Sequence, residues 1–232
     1  EDTRRSLKLL NYFNIKKKLI SYHKFNEKKE LQKTIEYLNE GKILSLISDA
    51  GTPVLSDPGN LLVNKCIEKN IKIFPIPGAS SITASVSVSG FEDKFLFFGF
   101  LPKTEKDLEK KLSILKNIDF TLVFFITGIK INFYLKYFKN FLAGRNILIA
   151  REITKIHETF YRDSVDNIKL FTSPLKGELT VVVSKKKSKS ESVINIDIIK
   201  QAKNYLKKYS LKDVVELISK KEKISKNKIY EI

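Results

Sequence analysis

Two loops of unusual composition contain the residues of this chain that are best suited to bind a small polar ligand. SDAGTPVLSDPG runs from Ser48 to Gly59 after the apolar segment ILSLI, and PGASS covers residues 77–81 after IKIFPI. Glycine allows positive φ angles and close approach of the backbone, while proline fixes the shape of a loop. The two loops therefore predict a rigid cradle of backbone N–H and C=O groups.

The same loops disfavour a nucleotide that is held mainly by its phosphates. Neither matches the glycine and lysine spacing of a Walker A motif or the GxGxxG turn of a dinucleotide site. One loop rich in glycine and proline would be explained as a long connection. Two such loops after successive strand-like segments favour a binding site.

The segments around the loops alternate between helix and strand patterns. Helices are predicted at residues 2–13, 26–39, 60–69, 81–89, 105–116, 130–142 and 164–171, and strands at 18–23, 43–48, 71–76, 95–100, 121–126, 146–150, 157–161 and 178–183. Several strands are continuous apolar runs, which predicts a mostly parallel sheet covered on both faces. Ligands bind beyond the carboxyl ends of such strands, where both loops begin.

A change of composition near residue 100 predicts two α/β domains. LPKTEKD, residues 101–107, combines a proline with charges and follows a complete series of strands and helices, so a boundary is expected there. We therefore predict an α/β fold with domains at residues 1–100 and 101–186. The polar segment 184–192 has the composition of a linker, and the helical patterns beyond it predict a small module at residues 193–232.

The composition restricts the class of protein and its partners. The 43 basic and 26 acidic residues give a net charge of +17, which favours a polyanion such as RNA about as strongly as a lysine-rich surface without a partner. One cysteine and two histidines argue against a disulfide framework and a metal site, and they indicate a reducing cytoplasm. No apolar run reaches the roughly 18 residues of a membrane span, and no signal peptide is visible.

Six segments of the chain resemble one family of proteins. EDTRR, SDAGTPVLSDPG, PGASSITA, GFLP, AREITKIHETF and KGELTVVV occur in the order and at the spacings of the bacterial ribosomal RNA small subunit methyltransferase I family. The resemblance covers nearly the whole chain. It implies the two-domain, tetrapyrrole-methylase-like (class III) methyltransferase fold, with a small helix-turn-helix-like module at the C-terminus.

The resemblance also implies a cofactor, a reaction and an assembly. Members of the family bind S-adenosyl-L-methionine (AdoMet) between their two domains and need no metal. They methylate the ribose 2′-hydroxyl of a cytidine in 16S rRNA of the 30S subunit, and they are homodimers.

Family positions that contact AdoMet carry over onto ten residues of this chain. They are Ala50, Gly51, Thr52, Leu55, Ser80, Ser81, Ile126, Ala150, Glu152 and Gly177. Packing in the core explains Ile126 and Ala150 equally well. It does not explain Gly51 and Thr52, because a buried core gains little from them.

Methyl transfer needs the acceptor oxygen aligned with the methyl carbon, and a group that takes up the hydroxyl proton helps. Asp2 and Asp49 are the candidate catalytic residues near the predicted cleft, although Asp2 is equally explained as the N-cap of the first helix. Arg4, Arg5 and Lys155 are the candidates for RNA binding. Arginine presents a planar fork of donors that suits phosphate.

The chain departs from the family pattern in two places. Family members have a strand and a glycine turn similar to TPIGNL ahead of EDTRR, and a chain without that part is expected to bind AdoMet weakly and to expose an apolar sheet edge. FFITGIK at residues 124–130 stands where the family has a segment similar to FYESPHR. If those polar residues position RNA, this change affects activity or target choice.

Two other functions fit the same residues. One is a methylase of the same class that acts on a small tetrapyrrole, which the net charge of +17 disfavours because a buried small substrate needs no such field. The other is an RNA-binding protein without cofactor chemistry. The lysine-rich C-terminal helices fit a grip on nucleic acid, and they fit a dimerisation or packing tail equally well.

Overall fold

The computed structural model describes residues 2–186, 196–222 and 226–230. Its helices are α1 Thr3–Tyr12, α2 Glu27–Asn39, α3 Asn60–Glu68, α4 Ser81–Ser87, α5 Glu105–Leu115, α6 Ile131–Phe141, α7 Ile196–Tyr205, α8 Leu211–Glu222 and α9 Lys226–Tyr230. Its strands are β1 Phe95–Phe100, β2 Thr121–Thr127, β3 Asn146–Arg151, β4 Thr159–Ser164 and β5 Glu178–Val183. Most of the predicted linker and the start of the predicted C-terminal module lie outside the described residues.

Local sequence signals explain where several helices begin and end. The side chain of Asp2 accepts a hydrogen bond from the backbone N–H of Arg4 and caps α1, as the N-cap alternative predicts. Thr104 caps α5 in the same way. Gly41 follows α2 with a φ of +80°, which is the left-handed C-terminal turn expected at that glycine.

The five strands form one sheet in the order β1-β2-β5-β3-β4. β1 and β2 are parallel, and the other three pairs are antiparallel. The prediction of a mostly parallel sheet is therefore wrong for this sheet. The apolar runs reflect burial on both faces and not strand direction, since the neighbours Val123 and Phe124 of β2 are both fully buried in different clusters.

Different elements cover the two faces of the sheet. α5 and α6 cover one face, where Leu112, Leu135 and Phe138 pack against the strands. α4 covers the other face through Ile82 and Val86. The helix that directly follows the loop PGASS is therefore packed onto the sheet.

β1 lies before the domain boundary predicted at residues 100 and 101, and yet it hydrogen-bonds to β2 over Phe95 to Phe100. A division that keeps the sheet whole assigns β1 to the second domain. The division itself stays a prediction.

The N-terminal half differs from the sequence prediction in its strands. α2 and α3 pack together around Ile35, Leu62 and Cys66, with Tyr22 beside them. The segments 18–23, 43–48 and 71–76, predicted as strands, carry no regular secondary structure, so these three predictions are wrong. A strand-like sequence supplies only one side of a ladder and needs a neighbouring strand to form one.

The predicted helix at 164–171 is also not formed. The chain makes a short turn there, in which the N–H groups of Asn167 and Ile168 donate to the carbonyl of Ser164. Val165 and Ile168 are buried against the sheet. A single turn is enough to bury both side chains, so a longer helix is not needed.

Arg145 is an almost fully buried cation, 1% exposed, at the start of β3. Its guanidinium donates to five backbone carbonyls, those of Leu115, Lys116, Ile118, Phe120 and Ser184, at 2.7–3.5 Å. Burial lowers the pKa of Arg145, but an arginine remains protonated in proteins. The side chain therefore joins the end of α5 to the ends of two strands.

The C-terminal helices have their own apolar cluster. Ile198 of α7, Val214, Val215 and Ile218 of α8, and Ile229 of α9 form it. Ser210 precedes α8 as predicted, and its hydroxyl accepts a hydrogen bond from the N–H of Asp213.

Candidate functional site

The loop from Ser48 to Gly59 has a strained backbone. Gly51 and Gly59 have φ angles of +72° and +132°, and Val54 and Ser56 also lie at +74° and +68°. A β-branched residue at positive φ is a true outlier, and such strain concentrates at functional sites. The glycines of this loop suggest positive φ angles, whereas nothing in the sequence indicates them for Val54 and Ser56.

The two glycine-containing loops lie against each other. The hydroxyl of Thr52 donates to the carbonyl of Ala79 at 3.3 Å. A Cβ atom placed on Gly51 would lie 4.0 Å from the same carbonyl oxygen. Ser80 is the N-cap residue of α4 and Ser81 is its first residue. The structure thus brings together Gly51, Thr52, Ser80 and Ser81 at one rim.

The rim also touches the five-stranded sheet. A Cβ atom placed on Gly99 of β1 would lie 2.8 Å from the hydroxyl oxygen of Ser56. Since α4 packs on the sheet as well, both loops are fixed to the part of the chain that contains β1 to β5.

An acidic pair with two arginines stands at the start of α1. The backbone N–H of Asp2 donates to Oδ1 of Asp49 at 2.9 Å, and Nε of Arg5 lies 3.7 Å from Oδ2 of Asp49. The Arg4 guanidinium donates to both carboxylate oxygens of Asp2 at 2.8 and 2.9 Å. Side-chain and backbone hydrogen bonds from Arg4 lower the pKa of Asp2 to about 2. Asp2 is therefore a weak base, fully ionised near neutral pH.

We expect the Asp2 carboxylate to titrate with a midpoint about 2, below the ordinary aspartate value of 3.8. Because the folded-state pKa is depressed, its stabilising effect is present above the unfolded value and is lost as the pH falls from about 4 towards 2. Carbon-13 NMR of the carboxyl group measures the midpoint, with Asp2→Asn identifying the signal. A midpoint at or above 3.8 would show that Arg4 does not hold this carboxylate.

The remaining predicted cofactor residues lie where β2 and β3 end and β5 begins. The N–H of Gly128, just after β2, donates to the carbonyl of Gly177 at 2.9 Å. Glu152 and Glu178 are joined by two further hydrogen bonds. The N–H of Glu152 donates to the carbonyl of Glu178, and the N–H of Glu178 donates to Oε1 of Glu152. Ile126 and Ala150 are almost fully buried, as packing in the core requires.

Glu152 organises this second group. A Cβ atom on Gly177 would lie 2.5 Å from the Glu152 carboxyl group, so glycine is required there. The backbone hydrogen bond from Glu178, followed by the bond from Lys155, lowers the pKa of Glu152. Lys155 is shared between the Glu152 and Glu178 carboxylates at 2.9 and 3.2 Å, which makes it a weaker candidate for phosphate than predicted.

The packing around Gly128 accounts for part of the difference between residues 124–130 and the family pattern. Gly128 is buried, and a Cβ atom on it would collide with the carbonyl oxygen of Leu175. Residues 128–130 form a single turn of 3₁₀ helix that leads into α6. The proline that the family pattern has at position 128 is incompatible with the path of the 174–177 segment in this chain.

A shallow cavity of about 510 Å³, wide open to solvent, lies at the surface beside the acidic pair. Its lining includes Asp2, Arg4, Ser21, His23, Phe25 and Asp49. Sequence reasoning found the two aspartates and Arg4 but missed Ser21, His23 and Phe25. Phe25 is an isolated apolar residue among polar neighbours between the segment 18–23 and α2, which is a signal that the sequence offers.

Neither a metal centre nor a membrane span is found in the described ranges. Within residues 2–186, 196–222 and 226–230, no three His, Cys, Asp or Glu side chains are placed to share a metal ion. No helix in these ranges is both long and apolar enough to cross a bilayer.

Comparison with known proteins identifies relatives over most of the chain. The model of the tetrapyrrole (corrin/porphyrin) methylases matches residues 2–169. Two curated relatives, from Mesomycoplasma conjunctivae and Thermotoga maritima, are both named ribosomal RNA small subunit methyltransferase I. The first is 41% identical and the alignment covers 82% of this chain and 80% of the relative. The second is 42% identical, with 80% and 85% covered.

A solved structure has the same fold. The methyltransferase CobJ superposes with a TM-score of 0.52 at 18% sequence identity, over 68% of this chain and 70% of that one. At this identity the similarity describes the architecture alone.

Proposed function

We propose, since the chain belongs to the tetrapyrrole (corrin/porphyrin) methylases and to the ribosomal RNA small subunit methyltransferase I family, that it methylates the ribose 2′-hydroxyl of a cytidine in 16S rRNA. The chain is an AdoMet-dependent methyltransferase, and its family methylates ribosomal RNA. The cytidine and the 2′-oxygen are the finer part of the proposal. A homodimer remains a prediction.

One observation carries the proposal, namely the contact of Thr52 with Ala79 next to the Asp2–Asp49 pair. It supports a preformed rim of backbone groups within one site that also holds carboxylates and arginines. A Cβ atom on Gly51 would stand at ordinary contact distance from the Ala79 carbonyl, so the glycine keeps this side of the rim free of a side chain.

The residues that would hold AdoMet are those of this rim. Gly51, Thr52, Ser80 and Ser81 would surround it on the loop side, and the backbone near Glu152 and Gly177 on the strand side. AdoMet supplies an electrophilic methyl group on a sulfonium centre. The protein then has to align the ribose oxygen with that methyl group and to exclude water.

Asp49 is the better of the two candidate bases. Asp2 has both carboxylate oxygens bound to Arg4, and its pKa of about 2 makes it a poor proton acceptor. Asp49 accepts a hydrogen bond from the Asp2 backbone at Oδ1, its Oδ2 lies 3.7 Å from Nε of Arg5, and it lines the cavity. We infer that Asp49 accepts the proton of the ribose hydroxyl and that Asp2 positions Arg4.

Labelled methyl transfer tests the function. The full-length gene product with labelled AdoMet is expected to modify unmethylated 30S subunits and to leave porphyrinoid precursors unlabelled. Nuclease digestion followed by mass spectrometry identifies the base and the 2′-oxygen. Label on a porphyrinoid, or AdoMet binding without any transfer to rRNA, would contradict the proposal.

Lysines on one side of the C-terminal helices are expected to add affinity for RNA. Lys203 and Lys207 are exposed, and no described acidic side chain pairs with them, whereas Lys220 pairs with Glu216 at 3.0 Å. Lys203→Gln with Lys207→Gln should lower affinity for 30S subunits and reduce the slope of log K against log salt by about one per lysine.

Filter binding at several salt concentrations measures the slope. Lys220→Gln is the matched control and should change it less, because its charge is already compensated. An unchanged slope in the double variant would remove this face from the RNA contact.

A further inference from the structure

The cavity beside Asp2 and Asp49 is built around a rigid turn at residues 21–26. The Asn26 side chain donates to the carbonyl of Ser21 at 2.9 Å and accepts from the backbone N–H of His23 at 2.7 Å. The N–H of Phe25 donates to Nδ1 of His23 at 3.2 Å. These three bonds close the turn and hold the His23 imidazole against the backbone of Phe25.

The turn sets the tautomer of His23. Nδ1 is used as an acceptor, so the proton of the neutral ring is on Nε2. His23 thus adds one N–H donor to a cavity whose lining also has two carboxylates, the hydroxyls of Thr3 and Ser21, the Arg4 guanidinium and the Phe25 ring.

Phe25 is an aromatic side chain that the fold does not use for packing. It is 94% exposed, and its ring meets the His23 ring at an angle of 63° with centroids 6.1 Å apart. A phenylalanine normally stabilises a protein by burial, so an exposed ring at the mouth of a polar cavity is available for a ligand.

We propose that this cavity receives one unstacked nucleotide of the RNA substrate, with its base on the Phe25 ring. The proposal rests on the proposed function and names the substrate contact of that site. Single-stranded RNA is recognised by bases that stack on aromatic side chains, and a base face of any sequence fits. Nε2–H of His23 donates to a base acceptor such as O2 of cytosine.

The charged residues fit the rest of the nucleotide. Asp2 occupies two of the five N–H donors of Arg4 and leaves three for a phosphate. Asp49 lies on the same cavity wall as the acidic partner for a ribose hydroxyl. An apolar ligand is disfavoured, because it would remove these charged groups from water and offer them no hydrogen bonds in return.

Substitution of Phe25 separates stacking from a structural role. Phe25→Ala should raise the KM for 30S subunits by about 5- to 100-fold, with AdoMet affinity unchanged. Phe25→Leu should fail in the same way, and Phe25→Tyr should restore activity. Tyr12→Ala is the control, since Tyr12 is 81% exposed but stands at the far end of α1, about 15 Å from Asp2.

The chain contains no tryptophan, so Phe25→Trp introduces a single fluorescent reporter. Its emission should be quenched in a saturable way by 30S subunits and by oligocytidylate, and not by inorganic phosphate. If wild type methylates 30S subunits while Phe25→Ala matches it and the indole is not quenched, the nucleotide site is wrong and the function stands. If wild type itself transfers no methyl group to 30S subunits, the proposed function fails first.

Discussion

A Gly51→Val substitution is expected to weaken AdoMet binding by at least about 100-fold while the fold is retained. Gly51 has a φ of +72° and lies at the gap between the two loops. A valine there costs about 1–2 kcal/mol in backbone strain and fills the gap with a branched side chain. Calorimetric titration with AdoMet measures the loss, and circular dichroism checks the fold.

Gly144→Val is the matched control for that strain. Gly144 has a φ of +76° in the turn between α6 and β3, and no atom lies within 4 Å of a Cβ placed on it. The two variants should lose similar stability, but only Gly51→Val should lose AdoMet. Unchanged affinity in Gly51→Val would remove this residue from the cofactor site.

Arg145→Met is expected to destabilise the protein by about 3–5 kcal/mol. The substitution leaves the five carbonyls that Arg145 serves without their buried donor, and bonds to charged groups are the stronger class. Such a loss corresponds to a fall of about 10 °C in Tm for a chain of this length. Urea unfolding should show a lower midpoint with an unchanged slope.

Two further variants separate the loss of hydrogen bonds from the change in the size of the side chain. Arg162→Met removes one exposed bond to the carbonyl of Val88 and should cost less than about 1 kcal/mol. Arg145→Lys keeps the charge but reaches fewer carbonyls, so its stability should lie between those of wild type and Arg145→Met. Equal stability of Arg145→Met and Arg162→Met would show that the carbonyls find other donors.

Helix ends were the most predictable part of the fold, because their causes are local. Asp2 before α1 and Gly41 after α2 each act through atoms a few residues away. The direction of the strands was not predictable in this way. Apolar runs such as residues 121–126 record burial on two faces, and the order of strands depends on distant contacts that no single segment encodes.

In the candidate site, too, the local features were predictable from the sequence and the long-range contacts were not. The glycines of SDAGTPVLSDPG and PGASS pointed to a cradle, and the contact of Thr52 with Ala79 brings the two loops together. The positive φ angles of Val54 and Ser56 arise from the packed loop as a whole. The contact of Lys155 with Glu178 joins residues 23 positions apart, beyond the reach of sequence periodicity.

The position of β5 has a consequence for the order in which the chain becomes stable during translation. β5 is the last strand in sequence but lies between β2 and β3, with hydrogen bonds on both sides. Until residues 178–183 leave the ribosome, the growing chain holds the parallel pair β1–β2 and the antiparallel pair β3–β4, each with one apolar edge open to misassociation. Nascent chains that end before Glu178 are therefore the species most in need of chaperones, and a late stop codon is as damaging as an early one.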